Sequence, residues 1–156
     1  MRIEAALPAD LPAVHALLEH HQLPRDGVDD QLQTMVVARE GSRVVGVAAL
    51  EVHADGALLR SVAVDASVQG QRLGHRLTEA ALDMAKQRGV EQVFLLTTTA
   101  ERFFASFGFE TIPRAAVPAS VQTSVEFRFA CPASATVMRK RLRPNTFARG
   151  SRQLRS

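Results

Sequence analysis

The chain has 156 residues, 46% of them hydrophobic and 22% charged, which is enough to bury the core of one domain and too apolar for a disordered chain. Its net charge of +3 and isoelectric point near 10.0 suggest a nucleic-acid partner at first sight, but the charge is unevenly placed. Seven of the 19 Lys and Arg (Arg139, Lys140, Arg141, Arg143, Arg149, Arg152, Arg155) fall in 139–156 with no acid among them, leaving 12 bases against all 16 acids in the first 138 residues. The body is therefore mildly acidic, and neither nucleic acid nor membrane is expected as a partner. No apolar run reaches the roughly 20 residues of a bilayer span, and MRIEAALPAD turns acidic too soon for a secretory signal. The single cysteine, Cys131, excludes an intramolecular disulfide, which fits a cytoplasmic location. No Cys/His cluster has metal-ligand spacing, so no metal is expected.

Alternation over 2–7 predicts a first strand, and Pro8 with Asp10 marks a helix start. Leu11, Val14, Leu17 and Leu18 recur at helical spacing and give an amphipathic helix over 11–21. The segment 23–30 (LPRDGVDD) reads as a loop. Strands at 35–39 and 43–53, joined by Glu40-Gly41-Ser42, form a hairpin, and a third strand follows at 57–64. A glycine-containing connection over 65–72 leads to a helix at 73–88 that closes at Gly89. A buried strand at 90–97, a helix at 100–107, a less regular stretch and a last strand at 135–142 complete the order. Adjacent antiparallel strands followed by a β-α-β crossover predict an α/β (α+β) fold with a mixed sheet and helices on its faces. The domain is expected over 1–142, with 143–156 as a basic, flexible tail.

The chemistry-bearing segment is Ser61-Val62-Ala63-Val64, then Asp65 to Val68, then Gln69-Gly70-Gln71-Arg72-Leu73-Gly74-His75-Arg76-Leu77. A strand runs through a polar loop into a helix start, where unpaired N–H groups and the positive dipole end together bind anions. Gly70 and Gly74 let a phosphate approach the backbone, while Arg72 and Arg76 add charge. No Gly-Lys-Ser/Thr follows, so it is not a Walker loop, and it lacks the triple glycine of a dinucleotide fingerprint.

This segment resembles the acetyl-CoA pyrophosphate loop of the GNAT N-acetyltransferases, Gln/Arg-x-x-Gly-x-Gly/Ala. Gln69 and Gly74 match, and Arg72 stands at the first glycine position. The resemblance extends over about 2–142 through the strand order, the Val-Ala-Val strand and the late Phe104 to Phe109 signal. It implies a mostly antiparallel sheet of six to seven strands with a V-shaped split, and acetyl-CoA as co-substrate. Val62, Ala63 and Val64 would pair with the pantetheine arm. Gln69, Gly70, Gln71, Arg72, Leu73, Gly74 and His75 would hold the pyrophosphate, with Thr97, Phe103 and Phe104 toward the thiol end.

The run LLTTTAERFF (95–104), the Gly108-Phe109 pair and Cys131 to Met138 are similar to the arsenic-resistance branch of the family, which acetylates the α-amine of arsinothricin. LLTTTAERFF…GF is also similar to the acetyltransferase domain of N-acetylglutamate synthases. Both imply an amino-acid-like acceptor with a second acidic group. Candidate cations for that group are Arg60 and Arg114, with Ser134 closing the site. An arginine inside an apolar strand is costly unless it lines a cleft or is paired. Arg60 can grip the acceptor's anion with its planar fork or pair with an acid on a neighbouring strand; the alternative for Arg114 is a solvated loop arginine. Cys131 is read as a small packing residue. Direct transfer in a ternary complex is expected, with Glu51 or Glu126 as general base acting through water, or else both as solvated carboxylates. Many family members place a proton-donating Tyr where this chain has Phe104, and with no tyrosine at all the thiolate must take its proton from water or the product ammonium. A CoA-binding regulator without turnover is the rival from another class. Assembly is left open, a homodimer included.

Overall fold

The computed structural model describes residues 1–124 and 134–142. Glu126, Cys131 and the whole of 143–156 lie outside the described residues. The chain begins with strand β1 (Arg2–Ala5), a 3-10 turn and helix α1 (Leu11–His20), followed by a 3-10 segment at Val28–Thr34. Strands β2 (Met35–Glu40), β3 (Arg43–His53) and β4 (Gly56–Val64) form a meander, and helix α2 (Leu73–Gln87) crosses over to β5 (Gln92–Thr97). Helix α3 (Glu101–Ala105), β6 (Glu110–Thr111), helix α4 (Ala119–Gln122) and β7 (Thr136–Arg141) complete the order.

All seven strands join one sheet in the order β1-β2-β3-β4-β5-β7-β6, antiparallel except for β4 beside β5. The predicted mixed, mostly antiparallel architecture is therefore present, with β3 at the bounds its alternation implied. The sequence reading treated 23–30 and 108–134 as irregular. β6 and α4 stand within them and the 3-10 segment begins in the first and runs past it to Thr34, each too short to carry a hydrophobic period.

Helix α2 covers one face. Its buried Leu73, Leu77, Ala81, Leu82 and Ala85 pack on Ala48, Leu50, Ala57 and Leu59, and each fully buried leucine contributes about 2 kcal/mol. On the other face Val14, Leu17 and Leu18 of α1 cover Val37, Val47, Ala49 and Ala63, while Val117 and Val121 cover Leu58, Phe94 and Val137.

Two irregularities in β4 shape the site. Ala49 pairs with Arg60 and Val47 with Ala63, so one residue of β3 (Ala48) faces two of β4 (Ser61 and Val62). This is a β-bulge, and Ser61 at its start is left-handed (φ 62°). A bulge bends and over-twists its strand, and it reverses which face each later side chain serves. Leu58 faces the α4 side before the bulge, and the odd-numbered Ala63 faces the α1 side after it. The second irregularity is the pairing with β5, confined to Ala57 with Val93 and Leu58 with Phe94. Beyond those pairs the strands part, which is the V-shaped split.

Gly56 sits at the closed end of the V. A Cβ there would stand 2.9 Å from Phe94 Cε2 and 3.0 Å from the Gln92 carbonyl, inside contact distance on both sides. Gly56→Ala is expected to force β4 from β5, costing about 1–3 kcal/mol and weakening CoA binding. Denaturant titration and calorimetry read the two effects separately.

Candidate active site

The split between β4 and β5 opens into a cavity of about 630 Å³. Its floor is Leu59 to Val64 of β4 and its far wall Leu95 to Ala100 with Phe103, Phe104 and Ala135. His21, Gln22, Leu23, Pro24 and Asp26, from the loop after α1, form the near wall. A second cavity of about 400 Å³ surrounds the start of α2 and is lined by Val64, Val68, Gln69, Gly70, Arg72, Leu73, Gly74, His75 and Phe103. Val64, Gln69 and Phe103 belong to both, so the two form one continuous trough.

The trough offers what a long phosphorylated thioester needs. Beyond Leu58 the β5-facing edge of β4 has no ladder partner among the described residues, so its backbone N–H and C=O groups can serve an extended amide chain. At α2 the first intrahelical bond runs from Arg76 N–H to the Arg72 carbonyl, leaving the amides of Leu73, Gly74 and His75 ahead of it. No side chain caps this helix and no acid sits in its first turn, so the N-terminal field faces the cavity unopposed. The loop is held by Asp65, whose carboxylate accepts from Ser67 N–H at 2.9 Å and from Arg43 at 2.9 Å. These bonds, Ser67 N–H foremost, hold the Asp65 carboxyl below the usual carboxylate range.

The departure at Arg72 has a backbone meaning. Arg72 caps α2 in the left-handed region (φ 58°, ψ 24°), where a Cβ costs roughly 1–2 kcal/mol, and this is the position at which the pattern carries glycine. Gly70 is also left-handed (φ 91°). Gly74 is not, and a Cβ there would meet Phe103 and Val64 at an ordinary 3.7 Å, which fits a pattern tolerating alanine.

Thr97 lines the first cavity, and its Oγ1 accepts the Ala100 N–H at 2.9 Å, fixing the entry to α3. Phe104, 8% exposed, meets Phe103 at 5.0 Å and Phe109 at 6.0 Å between ring centroids, an apolar wall where a tyrosine would present a hydroxyl. The His75 ring stacks at 4.6 Å on Phe107, with Nδ1 3.2 Å from Glu79.

The acceptor candidates are dispersed. Arg60 belongs to the cavity floor, but its side chain has no exposed surface. Nη1 donates to Glu51 Oε1 at 3.1 Å and Nη2 to the Asp26 carbonyl at 2.7 Å. Glu51, outside the cavity lining, also accepts from Ser124 Oγ at 3.1 Å and meets His53 Nε2 at 2.6 Å. Arg114 lies in a 3-10 turn outside both cavities, with its carbonyl facing Gln122 and Val117 N–H. Ser134 is exposed, and its neighbour Ala135 lines the cleft instead. Sequence reasoning did not single out the near wall, His21 to Asp26. Its signal was a Pro-Arg-Asp-Gly turn directly after an amphipathic helix. Two buried polar atoms of the cavity, His21 Nε2 and Ser61 Oγ, have no hydrogen-bond partner among the described residues.

A strand edge without a ladder partner among the described residues, leading to an uncapped helix start, suits an extended polar chain that ends in a phosphate. Residues 31–111 match the acetyltransferase (GNAT) domain. The chain is 32% identical over 129 residues to an amino-acid acetyltransferase of Mycobacterium tuberculosis, covering 76% of this chain and 74% of the relative. It is 30% identical over 128 residues to an amino-acid acetyltransferase of Pasteurella multocida, covering 74% of this chain and 28% of that protein. Among solved structures, Rv2747 of M. tuberculosis in complex with CoA and NLQ superposes with a TM-score of 0.79 at 26% identity, over 92% of this chain and all of that one. N-acetylglutamate synthase of Neisseria gonorrhoeae, complexed with CoA and N-acetyl-glutamate, gives 0.78 at 23% identity, over 91% of this chain and 35% of that one. The chain thus spans about a third or less of the longer relatives.

The chain belongs to the GNAT acetyltransferases, and it is an N-acetyltransferase with acetyl-CoA as co-substrate. Among the described residues no group of three or more His, Cys, Asp or Glu is placed to hold a metal, and no helix is long and apolar enough to cross a membrane.

Comparing Arg72→Gly with Arg72→Ala separates charge from backbone. Both are expected to weaken CoA binding in calorimetry, and more so at low salt. The glycine variant is expected to be the more stable of the two by about 1 kcal/mol in denaturant melts.

Proposed function

We propose that the chain transfers the acetyl group of acetyl-CoA to the α-amine of a small amino acid with a second acidic group. Glutamate and its organoarsenical analogue arsinothricin both belong to that class. The observation that carries an amino-acid acceptor is the 32% identity to an amino-acid acetyltransferase over 129 residues, a span that includes about three quarters of both chains, and the similar structure holding N-acetyl-glutamate supports the second acidic group. The similarity of LLTTTAERFF (95–104) to the arsenic-resistance branch supports the analogue.

In this reading the pantetheine arm lies along Val62, Ala63 and Val64, and the pyrophosphate sits against Gln69 to His75. Thr97, Phe103 and Phe104 bound the thiol end. The amino acid enters between the His21–Asp26 wall and the β4 floor, which places its amine beside the acetyl group inside one cleft. Holding the two reactants together removes most of the entropic barrier to a bimolecular attack. The acceptor amine, once deprotonated, bonds to the acetyl carbon as the carbon–sulfur bond breaks and the CoA thiolate leaves. A thiolate is stable enough to depart without an acid beside it and then takes a proton from water, or the proton that the attacking nitrogen sheds as it becomes an amide. The Phe104 wall, which has no ionisable group, supplies no proton of its own, so the proton comes from one of these two sources.

A thiol-release assay with acetyl-CoA across arsinothricin, phosphinothricin and glutamate tests the reading. Turnover on members of this set, with simple alkylamines inert, is the expected result. Turnover on glutamate alone assigns N-acetylglutamate synthase-type activity and removes the arsenical. Thermal stabilisation by acetyl-CoA with no turnover on any amine overturns the proposal in favour of a CoA-binding regulator. Deleting 143–156 is expected to leave turnover largely intact, because the assigned residues all precede it.

A further inference from the structure

Arg60 is the most deeply buried charge at the site, 3% exposed as a residue and in the middle of β4. A guanidinium withdrawn from water is costly unless its donors are answered, and two of the answers come from different parts of the fold. Glu51 lies on β3 opposite Leu58, while Arg60 lies opposite Ala49, so the two are diagonal neighbours on one sheet face. The Asp26 carbonyl belongs to the loop after α1. That loop contains left-handed Gln22 (φ 57°) and Gly27 (φ 73°) and forms the near wall of the cleft. Among the described residues, the 2.7 Å bond from Arg60 Nη2 to Asp26 is the hydrogen bond that ties 21–27 to the sheet.

We propose that Glu51 and Arg60 form a strut that sets the stance of the His21–Asp26 wall over the acceptor, making Glu51 a positioning residue that governs acceptor recognition without touching the amine. The proposal rests on the reading that this half of the cleft seats the amino acid. The carboxylate is committed at both oxygens: Oε1 accepts from Arg60 and Ser124, and Oε2 meets His53. Ser124 is 3% exposed and lies two residues past the end of α4, so the same carboxylate also joins the end of that helix to β3. A side chain held this way, outside the cavity lining, acts through what it holds. Acceptor binding is the step most sensitive to such shifts, since a displaced wall meets the amino acid with fewer well-placed contacts.

The test uses the full chain, with Glu51→Gln as the near-isosteric change and Arg60→Lys as the variant that keeps the charge but cannot span both partners. Steady-state kinetics with acetyl-CoA and glutamate are expected to show the acceptor KM raised about tenfold in each. The acetyl-CoA KM and the acid limb of the kcat–pH profile are expected to stay in place. The double variant is expected to be no worse than the poorer single, because the pair acts as a unit. Hydrogen exchange, which needs no turnover, is expected to speed up at the 21–27 amides while those of α2 stay as in the parent. Loss of kcat by about a hundredfold with an unchanged acceptor KM and a vanished acid limb makes Glu51 the general base and overturns the strut. Unaltered exchange over 21–27 in both variants overturns it equally. An enzyme that acetylates only amines lacking a carboxylate, yet shows the exchange response, sinks the amino-acid reading and leaves the strut standing.

Discussion

Two parallel strands that begin as partners and then separate leave a row of backbone groups without a ladder, and the rest of this molecule is arranged around that gap. β4 and β5 pair at two positions and no further. A gap of this kind inside a covered sheet is tolerable only where something polar can reach it. The helix that crosses from one strand to the other has to start near its mouth, so the positive end of α2 and the open edge of β4 share one trough. Gly56, by letting Phe94 close against it, keeps the parting local instead of letting it run the length of the sheet.

The acceptor end is built on a different principle. The α2 face is mostly apolar, whereas the opposite face is divided between two hydrophobic clusters with Arg60 and Glu51 between them. Leucines there would pack well but would slide. Hydrogen bonds from a rigid guanidinium fix distances that apolar contacts leave soft. A similar device stands at the sheet's other edge, where Arg39 joins Glu4 and Asp10 and draws the Asp10 carboxyl below its usual range. That cluster secures β1 and the turn before α1, far from the trough.

Much of this was legible in the sequence, because strands such as 43–53 and the helix after Arg72 carry strong periods and clear turn residues. The loop before α2 was legible for a physical reason: it depends on backbone conformation, and glycine is the residue that reveals conformation. What escaped notice depended on register. ALLRSVAV contains nothing that announces a bulge, since apolar residues continue through Ser61 without a break in pattern. The partner of Arg60 becomes evident only once Ala49 is known to face it, and the Asp26 carbonyl, being backbone, leaves no mark on composition. Short elements such as α4 fall below the length at which a period can be counted.

Ser61 and Arg72 enclose a segment that lines the trough, and both are non-glycine residues in left-handed geometry. Strain of this sort persists only where the surroundings over-determine it. It also gives the gene two sites at which a single change to glycine relieves the backbone. Under selection for heat tolerance alone, such changes would accumulate there first, and each would remove a side chain from the trough.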